Sequence, residues 1–354
     1  MNKGIFGNIT QKKYATGEVV ESVKNPDNSW VALDGGQKSF YQRGIDRNFG
    51  KKMLQFGNLI FSPQTSNFGS GNTFCAAFGN GTWVVGANLG QMRTSTNSTT
   101  WITPTSNFGT SRIQSVAYGN NLWVAVAIGG QIRTSTDAIT WTTRASNFGS
   151  SFINAVAYGN NLWVAGGVSG QIRTSTDGTT WTTRTSNFGN TQVNSIVYGN
   201  NLWVAVGATG QLRTSTDATT WTTRISNFGN TTLSSVAYGK GIFVAVGATG
   251  NMRTSTDGIT WRQVISNFGN SAILSVAYGN NLWVAGGAAG QMRTSTDAIT
   301  WTTRTSGLEL ALRDIRGLAY GNNTWLACGY YGTIVTSNRS RYSSPLLNGM
   351  WVKS

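Results

Sequence analysis

A closed all-β propeller of seven blades is the fold this sequence predicts, and two repeating features predict it. A tryptophan recurs every 40 residues, at Trp101, Trp141, Trp181, Trp221, Trp261 and Trp301. A Ser-Asn-Phe-Gly phrase keeps the same register, beginning at Ser66, Ser106, Ser146, Ser186, Ser226 and Ser266. A repeat of this length that reads as four short strands cannot bury its apolar faces alone, and radial stacking of copies solves that problem.

The copy beginning at Ser106 shows the elements in order. Residues 112–118 are apolar and β-branched enough for a first strand, and Gly119-Asn120-Asn121 forms a hairpin turn from residues that tolerate positive φ. Residues 122–127 (LWVAVA) make a nearly continuous apolar strand, as expected where both faces are buried. Gly129-Gly130 turns the chain, residues 131–136 form a more polar third strand, Asp137-Ala138-Ile139 turns again, and residues 140–145 form the fourth. The fall in apolar content from second to fourth strand fits an inner strand near a crowded axis and an outer strand meeting water.

Counting the second-strand aromatic gives Trp83, Trp123, Trp163, Trp203, Phe243, Trp283 and, after a two-residue insertion, Trp325: seven blades. The seventh copy supplies three strands, 314–320, 324–328 and 333–337, and then loses the pattern. Residues 57–65 stand in fourth-strand register, with Phe61 where Trp101 falls one period later. The N-terminal side is therefore expected to close the ring by lending its strand to the last blade, which also removes open sheet edges. The predicted organisation is a small attachment segment over 1–53, the propeller over 54–338 and a tail over 339–354.

Composition narrows the chemistry. The 354 residues carry 27 Lys plus Arg against 12 Asp plus Glu, a formal charge of +15, and no histidine. Without imidazole there is no Ser-His triad, Cys-His pair or histidine metal site. Cys75 and Cys328 cannot build a zinc site or a disulfide scaffold and read as small buried residues. No apolar run approaches the ~18 residues of a membrane span, and the first residues lack the apolar core of a secretory signal. Charged residues are only 11%, which argues against a charge-rich disordered chain or a coiled coil. No cofactor, metal site, membrane insertion or nucleic-acid partner is expected, since the positive charge is spread around a ring rather than gathered into a patch.

The turn between third and fourth strands resembles the Asp-box of sialidase-like (BNR) propellers, Ser-x-Asp-x-Gly-x-Thr-Trp. The matching residues run from Ser135 through Asp137 to Trp141 and from Ser175 through Asp177 to Trp181. These copies are one residue shorter than the family form, and the first carries Asn97 in place of Asp. The resemblance covers about 57–338 and implies a propeller without choosing among hydrolases, lectins and assembly factors. Locally, Asp137, Asp177, Asp217, Asp257 and Asp297 are read as acceptors for turn N–H groups. One carboxylate per box falls short of the six or more oxygens calcium takes. In sialidases a Glu and an Arg cluster assist a Tyr nucleophile; here the propeller holds two acids outside the boxes, Glu309 and Asp314, so no catalytic residues are assigned and no enzyme is expected.

Residues 17–36 resemble the opening of phage tail-collar domains through Gly17, Val19, Pro26, Trp30, Val31, Asp34 and Gly35. Ser29 replaces a family glycine, and Lys38-Ser39-Phe40-Tyr41-Gln42 departs from the family's Thr-Tyr-x-x-Leu. The resemblance implies a virion attachment module with other virion proteins as partners. A hairpin whose tryptophan packs on the propeller is the open alternative.

Propeller topology puts the Ser-Asn-Phe-Gly loops and the second-to-third strand loops on one face. Candidate ligand residues there are Asn67, Asn107, Asn147, Asn187, Asn227 and Asn267, with Phe108, Phe148, Phe188 and Phe228 beside them. An amide next to an aromatic ring suits a sugar, but a capped turn with a phenylalanine plug is the reading these residues favour. A third-strand ring of Arg93, Arg133, Arg173, Arg213, Arg253 and Arg293, with Arg144, Arg184, Arg224 and Arg304 further out, suits an anionic partner. Two functions follow: a phage virion propeller, tail- or fibre-associated, binding anionic or neutral host cell-surface glycan through repeated shallow sites, or a structural virion decoration or adaptor with no ligand.

Overall fold

The computed structural model describes residues 23–24, 30–31, 59, 61–308 and 313–338. Residues Phe61–Asn338 form one compact unit of seven antiparallel sheets. In the second blade the strands are Ile113–Gly119, Leu122–Ala127, Ile132–Ser135 and Thr142–Arg144, hydrogen-bonded in sequence order. The first strands of neighbouring blades lie against one another, and Ile315–Gly321 of the seventh blade lies against Thr73–Gly79 of the first. These strands therefore form the inner wall around the axis, and the ring is closed.

Each inner strand carries the same bulge. Ile113 pairs with Ala127 and Ser115 with Val126, so Gln114 is the extra residue, and the shift recurs in every blade. A bulge bends the strand and re-aims one side chain. The core lies between blades rather than at the axis. Val124, Val126 and Ile132 of the second blade pack on Phe148, Ile153, Trp163 and Trp181 of the third. Tyr158 tilts onto Trp163 at 4.8 Å between ring centroids. Gly119 faces the Tyr158 ring so closely that a Cβ would sit 2.2 Å from Cδ1, which explains the glycine ending each inner strand. Gly130, at φ 66°, likewise admits the Gly149 carbonyl where a Cβ would be 1.9 Å away.

Closure is as the register of Phe61 predicts. Ser62–Gln64 pairs with the last strand through Gln64 with Ile334, Pro63 with Val335 and Ser62 with Thr336. Phe61 is 5% exposed in the slot that a tryptophan fills in the six preceding copies. Pro63 is tolerated because the strand is an outer edge.

The first blade departs from the four-strand expectation. It has three strands, and its outer segment is reduced to a single bridge between Thr94 and Ile102. Pro104 stands where Arg144 pairs with Ile132 in the next blade, and proline has no N–H for the ladder. Cys75 and Cys328 are both buried and free, as their reading as small core residues requires. Burial pushes the Cys328 thiol up to about 12, which removes thiolate chemistry at neutral pH.

In the N-terminal segment, Val23–Lys24 pairs antiparallel with Trp30–Val31. The rest of the collar-like stretch 17–36, the remainder of segment 1–53, the tail 339–354 and Glu309 lie outside the described residues.

Candidate functional site

The Ser-Asn-Phe-Gly loop is a latch, and the copy at Ser106 shows its parts. Ser106 Oγ donates to the Gly90 carbonyl of the preceding blade at 2.6 Å. Asn107, at φ 59°, donates its Nδ2 to the Trp141 carbonyl at 2.6 Å. The Asn107 carbonyl accepts from Arg133 Nε at 3.2 Å and Nη2 at 2.9 Å. The Arg133 guanidinium lies 4.9 Å from the Phe108 ring centroid.

This geometry corrects the sugar-stacking role of the phenylalanines. Phe108, Phe148, Phe188 and Phe228 are 1–4% exposed, with a guanidinium over one face, so no ring face is open to a pyranose. Asn67, Asn107, Asn147, Asn187, Asn227 and Asn267 are exposed. In the last five, Nδ2 is held by the Trp carbonyl one outer strand further on. The third-strand arginines are corrected too. Arg93, Arg133, Arg173, Arg213, Arg253 and Arg293 are only 7–8% exposed, and burial pulls their pKa values down. They pin loops rather than display charge.

On the opposite face, the aspartate turns hold their own backbone. Asp257 Oδ1 accepts from the Ile259 and Thr260 N–H groups at 2.8 Å and from Ser255 Oγ at 2.8 Å. The Thr260 N–H is the largest influence and, with Ile259 and Ser255, outweighs the opposing effect of burial and holds the carboxyl down at about 2. In the first blade Asn97 Oδ1 takes the equivalent N–H groups of Thr99 and Thr100 at 3.0 and 2.8 Å, without charge. Asp257→Asn is therefore expected to fold as stably as the parent at pH 7, whereas Asp257→Ala loses on the order of 1 kcal/mol. The depressed folded pKa fixes the sign with pH. The carboxylate's contribution is complete above the ordinary value near ~4 and is lost as pH falls towards the folded value. Urea midpoints measured between pH 7 and pH 2 should show a shallower acid decline for Asp257→Asn than for the parent.

A second feature of the loop face was not read from the sequence, although the sequence carries it. The residue before each inner strand differs in every blade: Asn72, Arg112, Phe152, Gln192, Thr232 and Ala272, then Asp314 in the seventh. Its backbone is fixed, as where Ile128 N donates to Arg112 O at 3.1 Å and Val168 N to Phe152 O at 3.0 Å. Its side chain is half-buried or exposed in every blade. The bulge residue two places on varies nearly as much, from Phe74, Gln114 and Asn154 to Leu274 and Arg316. Bulge side chains reach across blades: Asn154 Nδ2 donates to Val193 O at 3.0 Å and Asn194 Nδ2 to Leu233 O at 2.8 Å. These positions ring the mouth of the central channel. The comparison that finds them is between copies within the one chain.

At the seventh, first and second blades the mouth becomes cationic and aromatic. The Arg112 guanidinium lies 4.8 Å from the Phe74 centroid, and Arg316 lies 5.7 Å from the same ring and 4.4 Å from Tyr330. Arg316 Nη2 pairs with Asp314 Oδ2 at 3.1 Å and donates to the Tyr330 hydroxyl. Among the described residues no group of three or more His, Cys, Asp or Glu side chains converges to hold a metal.

No protein-family model matches the chain, and no curated protein matches it. Solved structures do resemble it. YCF48 from Cyanidioschyzon merolae is 16% identical, with 79% of this chain and 99% of that one covered and a TM-score of 0.62. YCF48 bound to D1 peptide is 15% identical over 80% and 97%, at 0.65. A catalytically inactive virginiamycin B lyase from Staphylococcus aureus with quinupristin is 8% identical over 78% and 98%, at 0.70. The shared feature is the propeller: at these identities the likeness is one of fold alone.

Proposed function

We propose that the chain is a non-catalytic, virion-borne propeller that binds host cell-surface glycan at the mouth of its channel. The observation that carries the binding reading is the position before each inner strand. Copies that share their strand and turn phrases hold seven different side chains there, on a fixed backbone and in contact with solvent. A purely architectural ring has no need of seven side chains at one position, while a ligand without sevenfold symmetry does. The exposed loop asparagines add weak polar contacts around the same face, and linked weak sites raise avidity. Scaffolds of this shape carry ligands elsewhere, a D1 peptide on one similar structure and quinupristin with another. The virion setting rests on the collar-like residues 17–36, and the Asp-box likeness of the turns is compatible with a lectin.

The same geometry argues against hydrolysis. The turn aspartates are held ionised and donate no proton to a leaving group. Asp314 is engaged by Arg316 at 3.1 Å, with no second described carboxylate converging beside it.

The test is to incubate the full chain with host envelope polysaccharides, measure retention, and assay released reducing ends over the same period. Retention without release is expected. Steady release would move the protein among the glycosidases, and failure to retain any polysaccharide would leave the adaptor reading in place.

A further inference from the structure

The cluster at the seventh, first and second blades is chemically unlike the rest of the ring. Each periodic arginine in third-strand position has a loop carbonyl beneath it, as Arg213 has Asn187 O at 2.7 Å. Arg112 has no hydrogen-bond acceptor among the described residues, and its Nε is buried and unpartnered. The Nε atoms of Arg313 and Arg316 are in the same condition. Arg112 and Arg316 both lie against one ring, Phe74, and burial followed by the like charge of Arg316 pulls the Arg112 pKa down. Arg313, one residue before Asp314, donates to Thr333 and lies 5.6 Å from Tyr331. Two guanidiniums, Arg112 and Arg316, thus share the mouth with one described carboxylate, Asp314, which Arg316 already holds. Arg112 is the one of these without an acceptor among the described residues, and a half-buried cation in that state is costly unless an anion completes it.

We propose that Arg112 and Arg316, both set against Phe74, bind the carboxylate of an acidic sugar residue in the glycan. The planar guanidinium fork matches a carboxylate, and Arg rather than Lys at both positions suits that geometry. The choice of an acidic glycan over an acidic peptide comes from the neighbours. Around the mouth from Arg112 the side chains are Gln114, Asn154, Asn194 and Ser234, all uncharged; Asn154 and Asn194 each give one amide hydrogen to a neighbouring blade, which leaves the second for a hydroxyl. Phe152, 44% exposed, offers the next blade an open apolar face. One anionic subsite beside a row of amides fits one carboxylate followed by hydroxyls, not a run of charges.

This inference rests on the glycan reading above, and its test separates the two. Oligomers of galacturonate, mannuronate and glucuronate are titrated into the full chain beside their carboxyl-reduced, neutral counterparts. At least one acidic oligomer should bind about tenfold or more tighter than its reduced form, and more weakly as salt rises. Arg112→Gln and Arg316→Gln should each raise its Kd by about 10- to 100-fold. Arg112→Lys should recover part of the loss, and Arg144→Gln on the outer strand should change nothing. Melting temperatures identify any variant that fails to fold, and the acid-against-neutral comparison on the parent then decides alone. Equal binding of acidic and neutral forms overturns the carboxylate site and leaves the glycan reading standing. Absence of binding to every oligomer overturns both. Polyglutamate binding as tightly as the best oligomer overturns the sugar class in favour of an acidic peptide.

Discussion

A chain lacking residues 1–65 is expected to melt about 10 °C below one lacking only residues 1–56, and to self-associate. The second truncation keeps the closing strand, so the difference isolates it. Two contributions add. Phe61 is buried in the tryptophan slot of the last blade, and loss of such a side chain costs about 3–5 kcal/mol. The Ser62–Gln64 ladder goes with it, baring the edge of Ile334–Asn338. In a unit of this size each kcal/mol is worth about 2 °C, so Phe61 alone accounts for most of the shift. The bared strand carries unpaired N–H and C=O groups, a template for a second chain. Scanning calorimetry and light scattering measure both effects. The full-length Phe61→Ala variant should show the thermal loss without the association, because its ladder remains. Equal melting of the two truncations would mean that the ring does not depend on this strand.

How much of this was legible beforehand depended on whether the signal was a period or a direction. The blade count, the order of strands and the closing register all follow from spacing, and Phe61 in the place of Trp101 was enough to locate the seam. The failure of the first blade's outer strand was written in Pro104, but an otherwise faithful repeat masked it. The loop residues were harder. Asn and Phe beside each other read as sugar chemistry or, the favoured reading, as a plugged turn, and the sequence does not say which way a ring points. The burial of Phe108 under Arg133 answers that, and it also reassigns a ring of positive charge to the interior. The channel mouth was visible as seven different residues at one position, Asn72 to Asp314, yet its meaning needed the bulge that turns the neighbouring Gln114 equivalents toward the next blade.

Replacing Arg213 by alanine is expected to lower stability by about 3 kcal/mol, a large effect for a residue type usually found at surfaces. Arg213 is 7% exposed. Its Nε and Nη2 reach the Asn187 carbonyl at 3.0 and 2.7 Å, Nη1 reaches Leu212 O at 3.1 Å, and Nη2 also reaches Gln211 Oε1 at 2.8 Å. Its guanidinium lies 4.8 Å from the centroid of Phe188. Hydrogen bonds from a charged donor contribute about 1.5–3 kcal/mol, and a desolvated cation–π contact about 1–2 more. Alanine removes these and leaves the Asn187 carbonyl without its donor. The loop it pins also carries Phe188, which packs with Ile172 and Trp203 between two blades, so loosening the loop is felt in the core. Lysine at 213 keeps the charge but cannot fork, and should recover less than half of the loss. Urea unfolding measures both variants, and a double-mutant cycle with Phe188→Leu isolates the ring contact at about 1 kcal/mol. The outcome also separates the two kinds of arginine in this ring. A cation serving only to attract an anionic ligand would leave the urea midpoint where it is and weaken binding. Arg213→Ala should do the reverse, moving the midpoint while leaving the affinity of the channel mouth for an acidic oligosaccharide unchanged.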